Sequence, residues 1–136
     1  MLIVDAGPLY AAAATADDDH ARCAQLLANA SRPLLVPELV VTEVSYLLSD
    51  RIGAHAEIAF AESIAAGELN VEPVLEDEWE RVAELVSRYV DLPLGMADAS
   101  LVVLAERHRQ HEIASLDHRH LGVVQPRHTD RLTLLP

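Results

Sequence analysis

Short apolar runs alternate with helix-like segments along the whole chain, and this alternation restricts the possible folds more than any other feature. Five runs are predicted to be strands: Leu2–Val4, Pro33–Val36, Leu69–Val74, Ile113–Leu116 and Leu132–Leu135. Strands separated by helices usually pair in parallel and are covered by helices on both faces. We therefore predict an α/β fold: a single three-layer α/β/α domain over residues 1–136, with a central, mostly parallel sheet of about five short strands. Pro73 favours an edge position for the third strand.

Six segments between these strands are predicted to be helices: Leu9–Ala14, His20–Ala30, Glu38–Asp50, Ala54–Ala66, Glu76–Tyr89 and Met96–His108. The segment Ala6-Gly7-Pro8 is predicted to be a turn before the first helix. In the fifth helix, the 3.6-residue period places four residues on one side: Trp79, Val82, Ala83 and Val86. We expect that side to face the core.

The composition excludes several classes of protein. Hydrophobic residues make up 51% of the chain, which excludes an intrinsically disordered protein. No apolar run reaches the roughly 18 residues that a membrane span needs. The N-terminus lacks the basic region of a signal peptide, and a single cysteine, Cys23, excludes an internal disulfide. We therefore expect a cytoplasmic protein that does not contact a membrane.

The charge balance restricts the partners. The chain carries 22 acidic residues, ten arginines and no lysine, which gives a net charge of −12. Such a protein repels nucleic acid at long range, so binding nucleic acid would require a local group of arginines or metal ions between carboxylate and phosphate. The same charge favours a basic protein partner.

Asp98 is the first of four acidic residues in unusual places. It lies in the first turn of the predicted helix Met96–His108, on the same side as Leu101 and Val102. An ionised carboxylate among apolar residues is costly unless it has a partner. Capping of the free backbone N–H groups at the helix start would also explain its position.

Three more acids have a similar ambiguity. Asp5 and Asp117 each follow a predicted strand, and Glu43 lies at the edge of the apolar arc of the helix Glu38–Asp50. Ligands bind open α/β sheets outside the carboxyl ends of the strands, so Asp5 and Asp117 would face one crevice if their strands are neighbours. Simpler explanations are a helix cap for Asp5, a polar loop for Asp117 and a solvated helix face for Glu43.

Four carboxylates brought close together would repel one another, and a divalent cation would remove that repulsion. All-oxygen ligands select Mg²⁺ or Mn²⁺ over zinc. Such an ion can lower the pKa of a bound water and hold phosphate oxygens during an in-line displacement, which is the chemistry of phosphodiester hydrolysis.

The chain resembles the PIN-domain ribonucleases and, within them, the VapC-type toxins of toxin–antitoxin pairs. The resemblance covers nearly the full chain. It is carried by Leu2-Ile-Val-Asp5, Pro37-Glu-Leu-Val-Val-Thr-Glu43, Leu94-Gly-Met-Ala-Asp98-Ala, Ile113-Ala-Ser-Leu-Asp117-His-Arg-His-Leu, Val123-Val-Gln-Pro-Arg-His128 and Leu132-Thr-Leu-Leu-Pro136. Each motif alone has low specificity, whereas four acids in this order and on these elements are fairly specific.

The resemblance implies a metal site formed by Asp5, Glu43, Asp98 and Asp117, with Asp5 and Asp98 as the main ligands. It implies Mg²⁺-dependent endonuclease action on RNA, with Mn²⁺ as a substitute. It also implies a homodimer formed through helices, and inhibition by a small VapB-type antitoxin in a hetero-oligomer. Ser115, two residues before Asp117, matches the small hydroxyl residue that is common there and would support the ligands.

Three positions near the four acids bear on metal and RNA binding. Members of the family usually carry Ser or Thr two residues after the first Asp, where this chain has Gly7. The loss of that hydroxyl is expected to weaken metal binding. His118 and Arg119, beside Asp117, are candidates for contacts with RNA, and a solvated loop would have the same residues.

Other functions lack their motifs. The seven histidines come with neither a Cys pair nor a His-Glu helix motif, so a zinc site is not favoured. No Gly-x-Ser-x-Gly elbow or phosphate-binding glycine loop is present. A receiver domain would need a lysine, and a haloacid-dehalogenase phosphatase would carry an acid in place of Gly7. The alternative that remains is a non-catalytic PIN-like module that binds RNA or protein, which would be expected to lack part of the acid set.

Overall fold

The sheet of the computed structural model, which describes residues 1–136, contains five strands. They are β1 (Leu2–Val4), β2 (Leu34–Pro37), β3 (Asn70–Glu72), β4 (Glu112–Ala114) and β5 (Thr133–Leu135). Their order is β3-β2-β1-β4-β5, and every pairing is parallel. The predicted α/β fold is confirmed, and the third strand lies at an edge, as Pro73 indicated.

Helices flank the sheet and provide the crossovers between its parallel strands. They are α1 (Ala6–Ala13), α2 (His20–Asn29), α3 (Glu38–Arg51), α4 (Ala54–Ala65), α5 (Trp79–Arg88), α6 (Met96–His108) and α7 (His118–Leu121). A short 3₁₀ turn, Glu76–Glu78, precedes α5. Helices and sheet together enclose one cluster of 26 buried hydrophobic residues. None of the helices combines the length and apolar character that a membrane crossing needs.

Helix α6 is the most deeply buried of the helices. Seven consecutive residues, from Ala99 to Ala105, are buried, so this helix is covered on every side rather than along one stripe. The polar member of that run, Ser100, donates its hydroxyl hydrogen to the carbonyl of Ala97 at 2.6 Å. Asp98 directly precedes the buried run, so it stands where the helix emerges from the core.

Two arginines attach the C-terminal part of α6 to its neighbours. Arg81 of α5 binds Glu106 at 2.8 Å, and both side chains are largely buried. Arg107 binds Glu72 at 2.6 Å and Glu78 at 2.5 Å. A buried pair that loses one partner leaves an uncompensated charge, so these contacts resist movement of α6 relative to α5 and the edge strand β3.

Several predicted boundaries were wrong. Helix α1 begins at Ala6, not Leu9, because Asp5 accepts the N–H of Ala6 and because a first helical turn tolerates Pro8. Strand β4 ends at Ala114 rather than at Leu116, and α7 follows where no helix was predicted.

The predicted inward side of α5 was also partly wrong. Trp79 is 43% exposed and Ala83 is exposed, whereas Leu85 is fully buried. The difference arises because Arg81 turns inward to pair with Glu106 and occupies part of the buried arc, which shifts that arc away from Trp79.

Candidate metal centre

Asp5 follows the central strand β1 and is the most buried of the four acids, with 7% exposure. Its Oδ1 accepts the N–H of Ala6 at 2.7 Å, and its Oδ2 accepts the hydroxyl of Ser115 at 2.7 Å. Burial raises the pKa of Asp5 to about 6; repulsion from Asp98 and Glu43 adds to the increase, and the two hydrogen bonds oppose it. Asp5 therefore caps α1, and its carboxylate has no positively charged partner.

Ser115 joins the ends of two neighbouring strands. Its buried hydroxyl donates to Asp5 and accepts the N–H of Asp117 at 3.0 Å. This arrangement follows from the parallel pairing of β1 with β4, in which Val4 lies opposite Ala114. Asp5 and Asp117 therefore lie at the same edge of the sheet, as expected if their strands are neighbours.

Asp117 caps α7 and pairs with His120. Its Oδ1 accepts the N–H of His120 at 3.1 Å, and its Oδ2 lies 2.6 Å from Nδ1 of the ring. The other ring nitrogen, Nε2, lies 2.9 Å from the carbonyl of Leu92, which can only accept. The hydrogen bond to Asp117 raises the pKa of His120, and the doubly protonated imidazolium satisfies both contacts.

The role of His120 was not predicted from the sequence. The available signal was the spacing of an Asp and a His three residues apart, which brings the two side chains together on one helical turn. That signal was obscured because a helix of four residues shows no hydrophobic period.

Asp98 lies in the first turn of α6. Its Oδ2 is 3.4 Å from the backbone nitrogen of Gly95, which makes a long hydrogen bond. Burial raises the pKa of Asp98 and repulsion from Asp117 adds to the effect, while the Gly95 bond and the charge of His120 oppose it. Because burial outweighs the cap, a further positive partner would stabilise the ionised form.

Glu43 lies on the exposed side of α3, beside the buried arc that includes Val44 and Leu48. Burial of part of the side chain raises the pKa of Glu43, and repulsion from Asp98 and Asp117 contributes further. No hydrogen bond contributes to this pKa, so the carboxylate is the least constrained of the four.

The four acids are close enough to affect one another's ionisation. Asp5 is repelled by Asp98 and Glu43, and both of those are repelled by Asp117. As positioned, however, no group of three or more His, Cys, Asp or Glu side chains converges closely enough to hold a metal ion. Carboxylates that repel one another without a counter-ion are expected to point apart.

The chemistry of the donor set fits a hard divalent cation. All four groups are oxygen donors, which suits Mg²⁺ or Mn²⁺. Three of them have raised pKa values, which indicates that too little positive charge lies nearby to compensate the ionised carboxylates. Glu43 and Asp98 are held by the fewest hydrogen bonds and are therefore the carboxylates free to reorient towards an ion.

Two further predicted positions lie beside this group. His118 and Arg119 are exposed on α7, next to Asp117, and Arg119 takes part in no ion pair. A Cβ at Gly7 would lie 3.4 Å from the side chain of Leu116, which is an ordinary contact. Crowding therefore does not require glycine at that position.

The chain belongs to the PIN-domain family, whose family model matches residues 2–124. A particular relative is Ribonuclease VapC26 of Mycobacterium tuberculosis, which is 35% identical over 135 residues. That match covers 99% of this chain and 100% of the relative. The predicted resemblance to VapC-type PIN-domain proteins is thereby confirmed.

Two solved structures share the fold. VapC20 of M. tuberculosis, described as a toxin that cleaves the sarcin–ricin loop, superposes with a TM-score of 0.80 at 22% identity. The superposition covers 91% of this chain and 97% of that one. FitAcB from Neisseria gonorrhoeae gives a TM-score of 0.68 at 14% identity, covering 100% of this chain and 97% of that one. These similarities confirm the helix-flanked parallel sheet.

We predict that the metal-free protein loses stability as the pH rises from about 5 to about 7. Because the pKa of Asp5 is raised from 3.8 to about 6, its stabilising contribution is complete below the lower value and disappears as the pH rises through the higher one. The raised pKa values of Glu43, Asp98 and His120 act in the same direction. Melting followed by circular dichroism in EDTA measures this loss.

The control for this pH dependence is Asp5→Asn, which removes the titrating group and should flatten the profile. The carboxylates whose pKa values are lowered, Glu78 and Glu106, lose their contribution only as the pH falls further, so they do not mask the trend. A wild-type melting temperature that stays constant or rises across this range would contradict the prediction.

Proposed function

We propose that this protein is a Mg²⁺-dependent endoribonuclease, in which Mn²⁺ can substitute, and that it acts as the toxin of a toxin–antitoxin pair. The observation that carries the proposal is the group of four carboxylates at the carboxyl edge of the parallel sheet. Three of them have raised pKa values because of burial and mutual repulsion. The 35% identity to a protein named as a ribonuclease supports RNA as the substrate.

Four side chains would hold the ion: Asp5, Asp98, Glu43 and Asp117. When bound, the ion would lower the pKa of a water molecule and stabilise charge on the scissile phosphate. Asp5 is already oriented by Ser115, so its carboxylate needs little ordering when substrate binds. Glu43 has a raised pKa and makes no hydrogen bond, so it could bind the ion through one carboxylate oxygen and accept a proton from water with the other.

We predict that Asp98→Asn abolishes RNA cleavage and leaves the metal-free fold as stable as the wild type or more stable. The substitution keeps the shape of the side chain and removes one of the charges that repel Asp117. In saturating Mg²⁺, at about 100 times its dissociation constant, the wild type should gain roughly 2.7 kcal/mol, and the variant should gain little. Thermal melts in EDTA and in metal, beside an RNA cleavage assay, measure both effects.

The matched control is Asp130→Asn, at an exposed acid that precedes β5 and so lies towards the amino ends of the parallel strands, away from the carboxylate group. It should leave cleavage and the metal response unchanged. Wild-type cleavage by Asp98→Asn would refute the assignment of the metal site. A large drop in its melting temperature in EDTA would show that Asp98 serves mainly as a helix cap. Absence of cleavage by the wild type itself would favour a non-catalytic RNA- or protein-binding module.

Arg119 is proposed to contact RNA phosphate, with His118 beside it, because it is exposed, makes no ion pair and adjoins Asp117. Replacement by alanine should weaken binding of single-stranded RNA and reduce the salt dependence of that binding by roughly 0.7 in log–log slope. Fluorescence anisotropy across a salt series measures both. Arg131→Ala is the control. Arg131 is exposed and precedes β5, so it lies towards the amino ends of the strands, whereas Arg119 lies towards their carboxyl ends. An unchanged slope in Arg119→Ala would contradict the contact.

An apolar groove supports the proposal of a protein antitoxin. It has a volume of about 550 Å³, and twelve of its sixteen lining residues are hydrophobic, including Leu9 of α1, Leu27 of α2 and Phe60 of α4. Such a groove suits the apolar side of an amphipathic helix. Helix α1 begins beside Asp5 and then lines the groove, so a bound segment could continue to the carboxylates. The charge of −12 favours a basic continuation.

We predict that the product of the adjacent gene co-purifies with this protein and suppresses its cleavage of RNA. Ala59→Glu, which places a charge in the groove, should abolish co-purification, whereas Ala61→Glu on the same helix should not, because Ala61 does not line the groove. Light scattering of the complex gives its stoichiometry and tests the expected homodimer. Purification without any partner, together with cleavage unaffected by that product, would count against the antitoxin.

A further inference from the structure

His120 connects two segments that carry carboxylates of the candidate metal centre. Its Nδ1 donates to Oδ2 of Asp117 at 2.6 Å, and its Nε2 donates to the carbonyl of Leu92 at 2.9 Å. Asp117 lies in the segment after β4, and Leu92 lies in the turn before α6. The imidazole of His120 therefore bridges Asp117 and Leu92, which are 25 positions apart in the sequence.

The turn that receives His120 leads directly to Asp98. The N–H groups of Leu92 and Leu94 both donate to the carbonyl of Tyr89 at 3.1 Å, which fixes the turn internally. Leu94 is buried, and the N–H of the next residue, Gly95, donates to Asp98. A displacement of the Leu92 carbonyl would therefore be transmitted to the first turn of α6.

The bridge completes a continuous chain of contacts between three of the four acids. Asp5 is bonded to Ser115, Ser115 to Asp117, and Asp117 to His120. From His120 the chain continues through the Leu92 turn to Asp98. Asp5 makes one further hydrogen bond, with the N–H of Ala6, whereas the bond from Gly95 is the only one that Asp98 makes through its side chain.

We infer that His120 is a positioning residue, which holds Asp117 and the turn before Asp98 in fixed relation so that both carboxylates face one ion. This inference rests on the proposed metal site. His120 itself does not bind the ion or the RNA, because both of its ring nitrogens are occupied by protein acceptors. Outer partners of metal ligands typically change metal affinity by about 10–100-fold when they are removed.

The test measures Mn²⁺ binding by electron paramagnetic resonance or calorimetry, at a temperature where every variant is folded. His120→Ala should weaken Mn²⁺ binding by about 10-fold or more. His120→Asn should recover only part of that loss, because its amide nitrogen can take the place of Nδ1 and donate to Asp117, whereas the Leu92 carbonyl loses its donor. The control is Val123→Ala, directly after the same helix, where the side chain is exposed. It should bind Mn²⁺ as the wild type does.

Two results would overturn the inference. One is Mn²⁺ binding by His120→Ala that equals or exceeds that of the wild type, which would make His120 a counter-charge that competes with the ion. The other is an equal loss in Val123→Ala, which would assign the effect to the stability of α7 and the residues that follow it.

A metal-free measurement separates this inference from the proposed function. If the wild type binds no Mn²⁺, the proposed metal site fails by itself. In EDTA, His120→Ala should still shift the backbone amide signals of Leu92, Leu94, Gly95 and Asp98 in nuclear magnetic resonance spectra. Shifts confined to α7 would overturn the positioning role whatever the outcome with metal.

Discussion

Four carboxylates at one edge of a parallel sheet repel one another, and the surrounding structure compensates with hydrogen bonds and one imidazolium. The pairing of β1 with β4 fixes Asp5 next to Ser115, and α6 presents Asp98 from a helix that is buried on every side. The protein is therefore rigid where the ligands are attached. The residual shortage of positive charge appears as the raised pKa values of Asp5, Glu43 and Asp98.

Much of the fold was predictable because it depends on local patterns. The alternation of apolar runs with helical periods predicted the parallel sheet, and the order of Asp5, Glu43, Asp98 and Asp117 along those elements indicated which edge would carry the site. In the structure, Asp98 is close enough to each of the other three acids for their charges to repel. Their role as metal ligands remains a prediction.

The features that could not be predicted depend on partners distant in sequence. Trp79 was expected inside because periodicity treats Arg81 as polar and therefore exposed, yet Glu106, 25 residues away, draws that guanidinium into the core. His120 was overlooked for the same reason, since its bridge to Leu92 spans 28 residues. A contact with an acceptor 25 or more residues away leaves no local signal, so only the tertiary structure identifies it.

The hydrogen bond between Asp5 and Ser115 joins residues separated by 110 positions. The central strand is made from the first residues of the chain, and one of its two neighbours is made from residues beyond 111. Contacts of such long sequence separation form late and slow folding. A chain still emerging from the ribosome therefore cannot assemble the carboxylates, and synthesis of nearly the whole protein must precede any activity of the site.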